Sequence, residues 1–396
     1  MPHALAQSVE ALTTVLTVAG IGYFVAAMIA ARLFLAVRRR PLQAFAPSVS
    51  VLKSLKGLDP GMMDAFRSHC RQLYAGEVEL LFGVSSLADP AASAVEQLQA
   101  EFPERTIRLI ECPLHLGTNG KVSTLAQLVP QARYPFLLIN DSDITVSQNY
   151  LKRVMACFAR VQERAGKCES EVGLVTALYR GRPHGTLPSR LEALGIATDF
   201  QSGVLLSKWI EGGLHYGLGS TLAISRKALD GIGGLEAVVN HLADDYELGV
   251  RVARAGYGVE LSPEVVETAI PAYGWGGFID HQLRWARTVR DARPGGYAGL
   301  IFTHGLGWAM LNVLASGVSP ASLWFLGLSF FLRLALAMTV GTEVLSDRQI
   351  LSSLWILPLR DLVAMGVWAA GFAGNTIAWR GERFTLKDGK LEKSGC

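Results

Sequence analysis

"PFLLINDSD", Pro135 to Asp143, is an apolar run that stops abruptly at acidic residues. Its apolar core reads as a strand, and the change of character at Asn140 marks the strand's carboxyl end. Working back from it, "GKVSTLAQLVPQA" reads as a helix, "IRLIEC" as a strand, "PAASAVEQLQAEF" as a helix, and "EVELLFGVSS", Glu77 to Ser86, as a strand ending in a polar loop. Before these come a helical "MMDAFRSHCRQL" and a further strand, "SVSVLKSL", Ser48 to Leu55. Strand and helix in alternation predict an α/β fold whose parallel sheet carries helices on both faces. Ligands in such sheets bind at the carboxyl ends of the strands, which is where Asp89 and Asp141 fall.

Charge is spread through residues 47 to 294, whereas both ends of the chain are long apolar runs. No charged residue interrupts "ALTTVLTVAGIGYFVAAMIAA", Ala11 to Ala31, and such a run meets the roughly 20-residue requirement for a helix that spans hydrocarbon. Basic residues follow it (Arg32, Arg38, Arg39, Arg40) and none precedes it, a pattern of an anchor and not of a cleaved signal peptide. The loop-charge rule then puts Arg38 to Arg40, and the domain after them, in the cytosol.

Three further apolar stretches follow: Tyr297 to Ala315, Ala321 to Val340 with Arg333 inside it, and Leu354 to Trp379, interrupted by Arg360 and Asp361. The tail carries Arg380, Arg383, Lys387, Lys390 and Lys393. If these are cytosolic, the number of crossings among the three stretches is even. The third is the candidate for a partial or broken span, because adjacent Arg360 and Asp361 are costly in hydrocarbon unless paired or facing protein. The expected organisation is an anchor over 1–40, a cytosolic catalytic domain over 47–294, membrane helices over 297–380 and a basic cytosolic tail over 381–396.

The composition agrees with partial membrane residence. Of 396 residues, 50% are hydrophobic and 18% charged, below the ~25% charged content of a soluble chain. A dispersed net charge of +3 makes no nucleic-acid surface, so no nucleic-acid partner is expected. Cys70, Cys112, Cys157, Cys168 and Cys396 show neither zinc-site spacing nor the density of a disulfide framework, and read as reduced, buried residues.

Three clusters carry chemistry. Asp141 and Asp143, one residue apart after a strand, can bridge a hard divalent cation to a pyrophosphate, although two acids opening a surface turn look the same. Asp244 and Asp245 precede the helical "YELGVRVARAG"; as an alternative to a favourable acidic helix start, Asp245 reads as a general base whose pKa is raised by its neighbour. Arg284, Arg287 and Arg290 repeat every three residues beside Trp285 in "DHQLRWARTVR". On a helix these cations share a face suited to a pyrophosphate leaving group or to anionic lipid headgroups. "LGTNGKVSTL" lacks phosphate-loop spacing but can bring Asn119 and Lys121 to a donor.

In this order and at these separations, "SVLKSLKGLDP", "SSLADPA", "GTNGKVSTLAQL", "NDSDITV", "GLGSTLAISRKALDGIGGL", "LADDYELG" and "HQLRWARTVR" resemble the family 2 and 21 glycosyltransferases. The likeness is greatest to the ceramide glucosyltransferases and the bacterial hopanoid-biosynthesis glycosyltransferases, and covers roughly residues 10 to 390. The resemblance implies a GT-A fold, with a Rossmann-like nucleotide-binding half followed by an acceptor-binding half. It implies that Asp89 contacts the nucleoside, that Lys121 lies in the donor-site loop, and that Asp141 and Asp143 face the nucleotide and its Mg2+ or Mn2+. Asp245 would be the base, and Arg284 and Trp285 would come from the family's (Q/R)xxRW motif. The implied reaction inverts the anomeric centre in a single displacement. Two departures stand out: His281 occupies the first position of that motif, and Asp244 stands where many relatives have Glu.

The expected activity is therefore transfer of one glucose or N-acetylglucosamine from a UDP-sugar to a lipid hydroxyl, with a ceramide or a hopanoid polyol as acceptor. The bilayer is a second partner, and a bacterial inner membrane the expected location. The apolar, aromatic-containing stretch Ala193 to Gly219 is expected to meet the lipid. A processive polysaccharide synthase shares the acidic residues and the RW motif but needs a longer bundle of spans. A non-catalytic membrane scaffold is disfavoured by the intact Asp141, Asp143, Asp245 and Arg284.

Overall fold

The strands anticipated from the alternation form one half of a mixed eight-stranded sheet. A computed structural model describes residues 3–159, 161–164, 167–379 and 382–393; Arg380 and Cys396, counted above, lie outside them. Strands β1 (Val49–Ser54), β2 (Val78–Val84), β3 (Thr106–Glu111) and β4 (Phe136–Ile139) are parallel, in the order β3-β2-β1-β4. The near-continuous burial of β1, β2 and β4 is why they read as apolar runs without alternation, whereas the edge strand β3 buries only Ile107.

The other half of the sheet is antiparallel. β7 (Leu222–Ser225) pairs with β4, β6 (Lys167–Pro183) with β7, β5 (Val161–Arg164) with β6, and β8 (Gly258–Ile270) also with β6. The parallel strands expected from the alternation are β1 to β4, and the antiparallel strands lie after that stretch of sequence. β7 is only four residues long, too short for a periodic signal, and its pairing depends on residues distant in sequence.

The connecting helices start where the chain provides caps. Asp89 caps α3 (Pro90–Glu101) by accepting from Ala91 N, with Pro90 at the first helical position. Asn119 caps α4 (Gly120–Leu128) by accepting from Val122 N. With α2 (Met62–Cys70) and α5 (Tyr150–Met155), α3 covers a core containing Phe66, Phe82, Val95, Leu98, Leu138 and Tyr150. Beyond β7 lie α8 (Arg226–Gly231) and α9 (Asp244–Arg254).

The chain folds into two compact units. The sheet unit comprises Arg40–Arg182, Gly212–Ile270 and Lys387–Cys396; a helical unit comprises Met1–Arg39, Pro183–Glu211 and Pro271–Leu386. The stretch expected as one continuous catalytic domain, 47–294, thus gives residues 183–211 and 271–294 to the helical unit. The reason is packing: α6 (Leu187–Gly195), α7 (Gln201–Ile210) and α10 (Trp275–Ala292) bury their apolar sides on α1 (His3–Arg38) and α14 (Leu357–Gly371).

The helical unit also holds α11 (Pro294–Gly299), α12 (Gly305–Ala315) and α13 (Pro320–Met338). Three helical stretches among the described residues are long and apolar enough to cross a membrane: Ala4–Arg38, Pro320–Val344 and Arg348–Gly371. A fourth candidate is bent by 57° between Pro294–Thr303 and Gly305–Ala315. α1 and α12 touch backbone to backbone, since a Cβ on Gly20 would overlap the Gly305 Cα; only glycine fits such an approach. Two short strands, β9 (Thr376–Trp379) and β10 (Glu382–Lys387), pair antiparallel, and β11 (Lys390–Lys393) follows.

Candidate active site

β4 ends at Ile139, and the next residues turn across the carboxyl end of the sheet. Asn140 is buried and donates from Nδ2 to Ser220 O at 2.6 Å and to Tyr150 Oη at 2.9 Å, so the turn starts from an anchored residue. His69 lies at 3.2 Å from Asn140 Oδ1; burial pushes its pKa down to about 3, which keeps it neutral. Asp141 is then held from below by Lys53, a fully buried side chain of β1 whose ammonium donates to the Asp141 carbonyl at 2.8 Å. Burial brings the Lys53 pKa down to about 7 against the opposing pull of Asp143 and Asp141.

The two acids of "NDSD" have different surroundings. The Asp141 carboxylate is partly exposed and lies 2.7 Å from Lys121 Nζ. Asp143 turns towards β8, where one carboxylate oxygen accepts from Thr268 Oγ1 and from Ala269 N at 3.1 Å. Burial, reinforced by Asp141, raises the Asp143 pKa to about 6. Between them Ser142 bonds to Asp59.

Lys121, on the first turn of α4, lies between Asp141 and Asp244, whose Oδ2 is 3.6 Å from Nζ. Burial lowers its pKa, but the two carboxylates outweigh that and hold it above the ordinary lysine range. Asp244 and Asp245 open α9, whose N-cap, Ala243, supplies no side-chain cap. Burial raises the pKa of Asp244, and burial together with the Asp244 charge raises Asp245 to about 6, while Lys121 opposes both shifts. The Asp245 carboxylate accepts from Tyr246 N at 2.8 Å, and its Oδ2 faces Gly219, whose missing Cβ leaves the approach open.

Lys121, Asp141, Asp244 and Asp245 are thus brought into one cluster, with Asp143 on the same turn. Asp89 is spent differently: its carboxylate accepts from Gly57 N at 2.9 Å as well as from Ala91 N, so its visible work is to tie the β1–α2 loop to α3. Arg284 and Trp285 belong to the helical unit, on α10. There Trp285 lies against His281 and Phe200, with ring centroids 5.0 Å and 6.2 Å away. His281 Nδ1 is 3.0 Å from Glu192 Oε2, so the residue that departs from the motif anchors α10 to α6.

Arg287 and Arg290 differ from the pyrophosphate reading of that helix. They donate to the carbonyls of Ala373, Thr376, Gly371 and Gly374, which closes the open end of α14. Sequence reasoning assigned no role to Lys53, Asp59, Asn140 or Thr268. For Lys53 a signal existed, a lysine in the otherwise apolar strand "SVSVLKSL". The others look like ordinary loop and strand residues.

Among the described residues, no three His, Cys, Asp or Glu side chains converge as a metal site. Asp141, partly exposed, and Asp143 form a carboxylate pair whose chemistry fits Mg2+ or Mn2+, hard cations that take one or two carboxylates and complete their shell with phosphate oxygens and water.

A mixed sheet with a carboxylate–lysine cluster at the end of its parallel strands, in a chain with long apolar helices, defines a membrane glycosyltransferase of the GT-A class. The chain belongs to glycosyl transferase family 21, whose sequence model matches residues 12–392. It is similar to ceramide glucosyltransferase 3 of Caenorhabditis elegans, 24% identical over 362 residues that cover 86% of this chain and 73% of that protein. Ceramide glucosyltransferase 1 of the same organism is 21% identical, covering 87% and 72%. In fold it is similar to a mannosyltransferase of Pyrobaculum calidifontis solved with GDP-mannose and Mn2+, with a TM-score of 0.55, 18% identity, and coverage of 92% of this chain and 97% of that one.

Proposed function

We propose that this glycosyltransferase moves one sugar, glucose or N-acetylglucosamine, from a UDP-sugar to a hydroxyl of a membrane lipid with inversion at the anomeric carbon. The observation that carries the reading is Asp245: a carboxylate with a raised pKa, beside Asp244 and Lys121, at the carboxyl end of the sheet. Asp245 takes the proton of the acceptor hydroxyl as that oxygen bonds to the anomeric carbon. The bond from that carbon to the phosphate oxygen breaks in the same step, and UDP leaves.

Lys121 stands ready to leave Asp141 for the donor's phosphates, which provide the same negative charge. Asp141 and Asp143 would hold Mg2+ or Mn2+, which when bound neutralises charge on the pyrophosphate. By resemblance, Asp89 meets the nucleoside, and Arg284 and Trp285 are the donor-binding residues of the family's (Q/R)xxRW motif.

The lipid acceptor is supported by the membrane helices and by the relatives' substrate. Ala193 to Ile210, from the stretch expected to meet lipid, lies in the helical unit, where α7 packs on α1. A ceramide or a hopanoid polyol fits as acceptor, and a bacterial inner membrane with the catalytic side in the cytosol fits the basic residues after α1.

The test is to incubate purified full-length protein with labelled UDP-glucose or UDP-N-acetylglucosamine, each lipid, and Mg2+ or Mn2+, and to identify the product by mass spectrometry. A single-sugar glycolipid with inverted configuration, lost on chelation, is expected. Polymer formation, or no lipid product with any pair, overturns the reading.

A further inference from the structure

The loop from Val239 to Asp245 carries both α9 acids, and its backbone also bonds to two other segments of the chain. Its helix has no side-chain N-cap, so its backbone has to be held by other segments. One holder is the turn before α4. Asn119 N donates to Val239 O at 2.9 Å, and the buried Asn119 side chain donates to His241 O at 2.8 Å and to Asp244 Oδ1 at 3.4 Å. Thr118 N donates to Asn240 Oδ1 at 3.0 Å.

The second holder comes from the far end of the sequence. Leu391 N donates to Asn240 O at 2.9 Å, Leu242 N donates to Gly389 O at 3.3 Å, and Lys390 forms an antiparallel bridge with His241. Leu391 is buried, as is Leu242. Gly389 has φ +78°, and a Cβ placed on it would lie 3.5 Å from His241 Cδ2. The Asn240 carbonyl and the Leu242 N–H, two to five residues before the acids, therefore have their partners in the tail. All of these residues belong to the sheet unit.

We propose that β11 and its turn are a positioning element of the active site, holding the His241–Asp245 loop so that Asp245 meets the acceptor hydroxyl. Gly389 and Leu391 are the positioning residues, and they act through the loop backbone. Both hydrogen bonds from the tail go to this one segment, and Leu391, which supplies one of them, is buried. The inference rests on the lipid-transferase reading and on Asp245 as base.

The experiment uses full-length protein with Gly389→Val, Gly389→Asn, Leu391→Ser and Leu391→Ile. Valine at φ +78° is strained, whereas asparagine tolerates this region. Gly389→Val and Leu391→Ser are expected to lower kcat at least 10-fold, with KM for the UDP-sugar within 2-fold of wild type. The acid limb of kcat should move down in pH, as water reaches Asp245 beside Asp244 and Lys121. Gly389→Asn and Leu391→Ile should restore kcat to within 3-fold.

The proposal is overturned if Gly389→Val or Leu391→Ser keeps wild-type kcat, or if kcat falls only in proportion to the folded fraction with the pH profile unmoved. Should either of these two variants fail to fold, the other decides on the same readouts. If both fail, Leu391→Val, a milder truncation, decides. Absence of lipid transfer by the wild type would instead sink the lipid-transferase reading.

Discussion

Asp245, half-buried, and Lys53, fully buried, are two charges of opposite sign in one cluster region. A base works only when ionised, and a carboxylate raised to about 6 is mostly protonated below that pH. Transfer should therefore rise with pH through about 6, whereas an ordinary carboxylate has its midpoint near pH 4. Asp245→Asn should lower kcat by about 10²–10⁴, remove that limb and leave UDP binding in place, as checked by rate–pH profiles and titration calorimetry. Lys53 supports Asp141 through its backbone, not its carboxylate. Lys53→Met removes that donor at a cost of about 1 kcal/mol, so UDP-sugar binding should weaken several-fold while the protein still folds. Unchanged affinity in the same calorimeter would show that Lys53 does not set the turn. The pair of acids in "NDSD" was legible because it interrupts an apolar run. Their division of labour was not, because it depends on Thr268 and Lys121, which are 125 and 22 positions away from Asp143.

At the level of elements, the costly charges of the apolar stretches prove to be paired with one another. Arg333 of α13 donates to Asp361 of α14 at 2.8 Å and also bonds Asp199, in the π-helical turn Ile196–Phe200 between α6 and α7; Arg360 lies 3.1 Å from Asp199. The expectation that Arg360 and Asp361 need partners or protein around them is met by residues from other segments of the helical unit. Arg333→Leu leaves Asp199 and Asp361 without their shared guanidinium, and should destabilise the helical unit by about 3–5 kcal/mol. That is to be read as a lowered midpoint of thermal inactivation in detergent; an unshifted midpoint would mean the cluster is solvated. Arg287 and Arg290 teach a related lesson. Their spacing of three is visible in sequence, but that the exposed carbonyls after α14 would claim them is decided by packing of α10 on α14.

At the scale of the helical unit, which helix ends meet suggests a path for the candidate spans. α12 runs opposite to α1, since Gly305 meets Gly20 and Asn312 meets Thr13 and Thr14. α13 runs with α1: Arg333 lies over Phe24, Glu343 bonds Arg32 and the Val344 carbonyl bonds Arg38. The bent α11–α12 segment and α13 therefore run as an antiparallel pair within the helical unit, and we propose that they form one out-and-back passage while Arg348–Gly371 makes no net crossing. We expect cysteines at Glu96, Arg348 and Lys387 to be labelled from one side of sealed vesicles and a cysteine at Ala321 from the other. Labelling of Glu96 and Lys387 from opposite sides would refute this path.

By itself the sequence determined the strand–helix alternation, the apolar segments and the position of Asp141, Asp143, Asp244 and Asp245, because each is a local pattern of burial or charge. Only the tertiary structure decided the antiparallel half of the sheet, the use of Lys121 between Asp141 and Asp244, and the docking of β11 beside the His241–Asp245 loop. These depend on residues that are distant along the chain meeting in space, and the free energy that selects them comes from burying groups with their partners, which no local window contains.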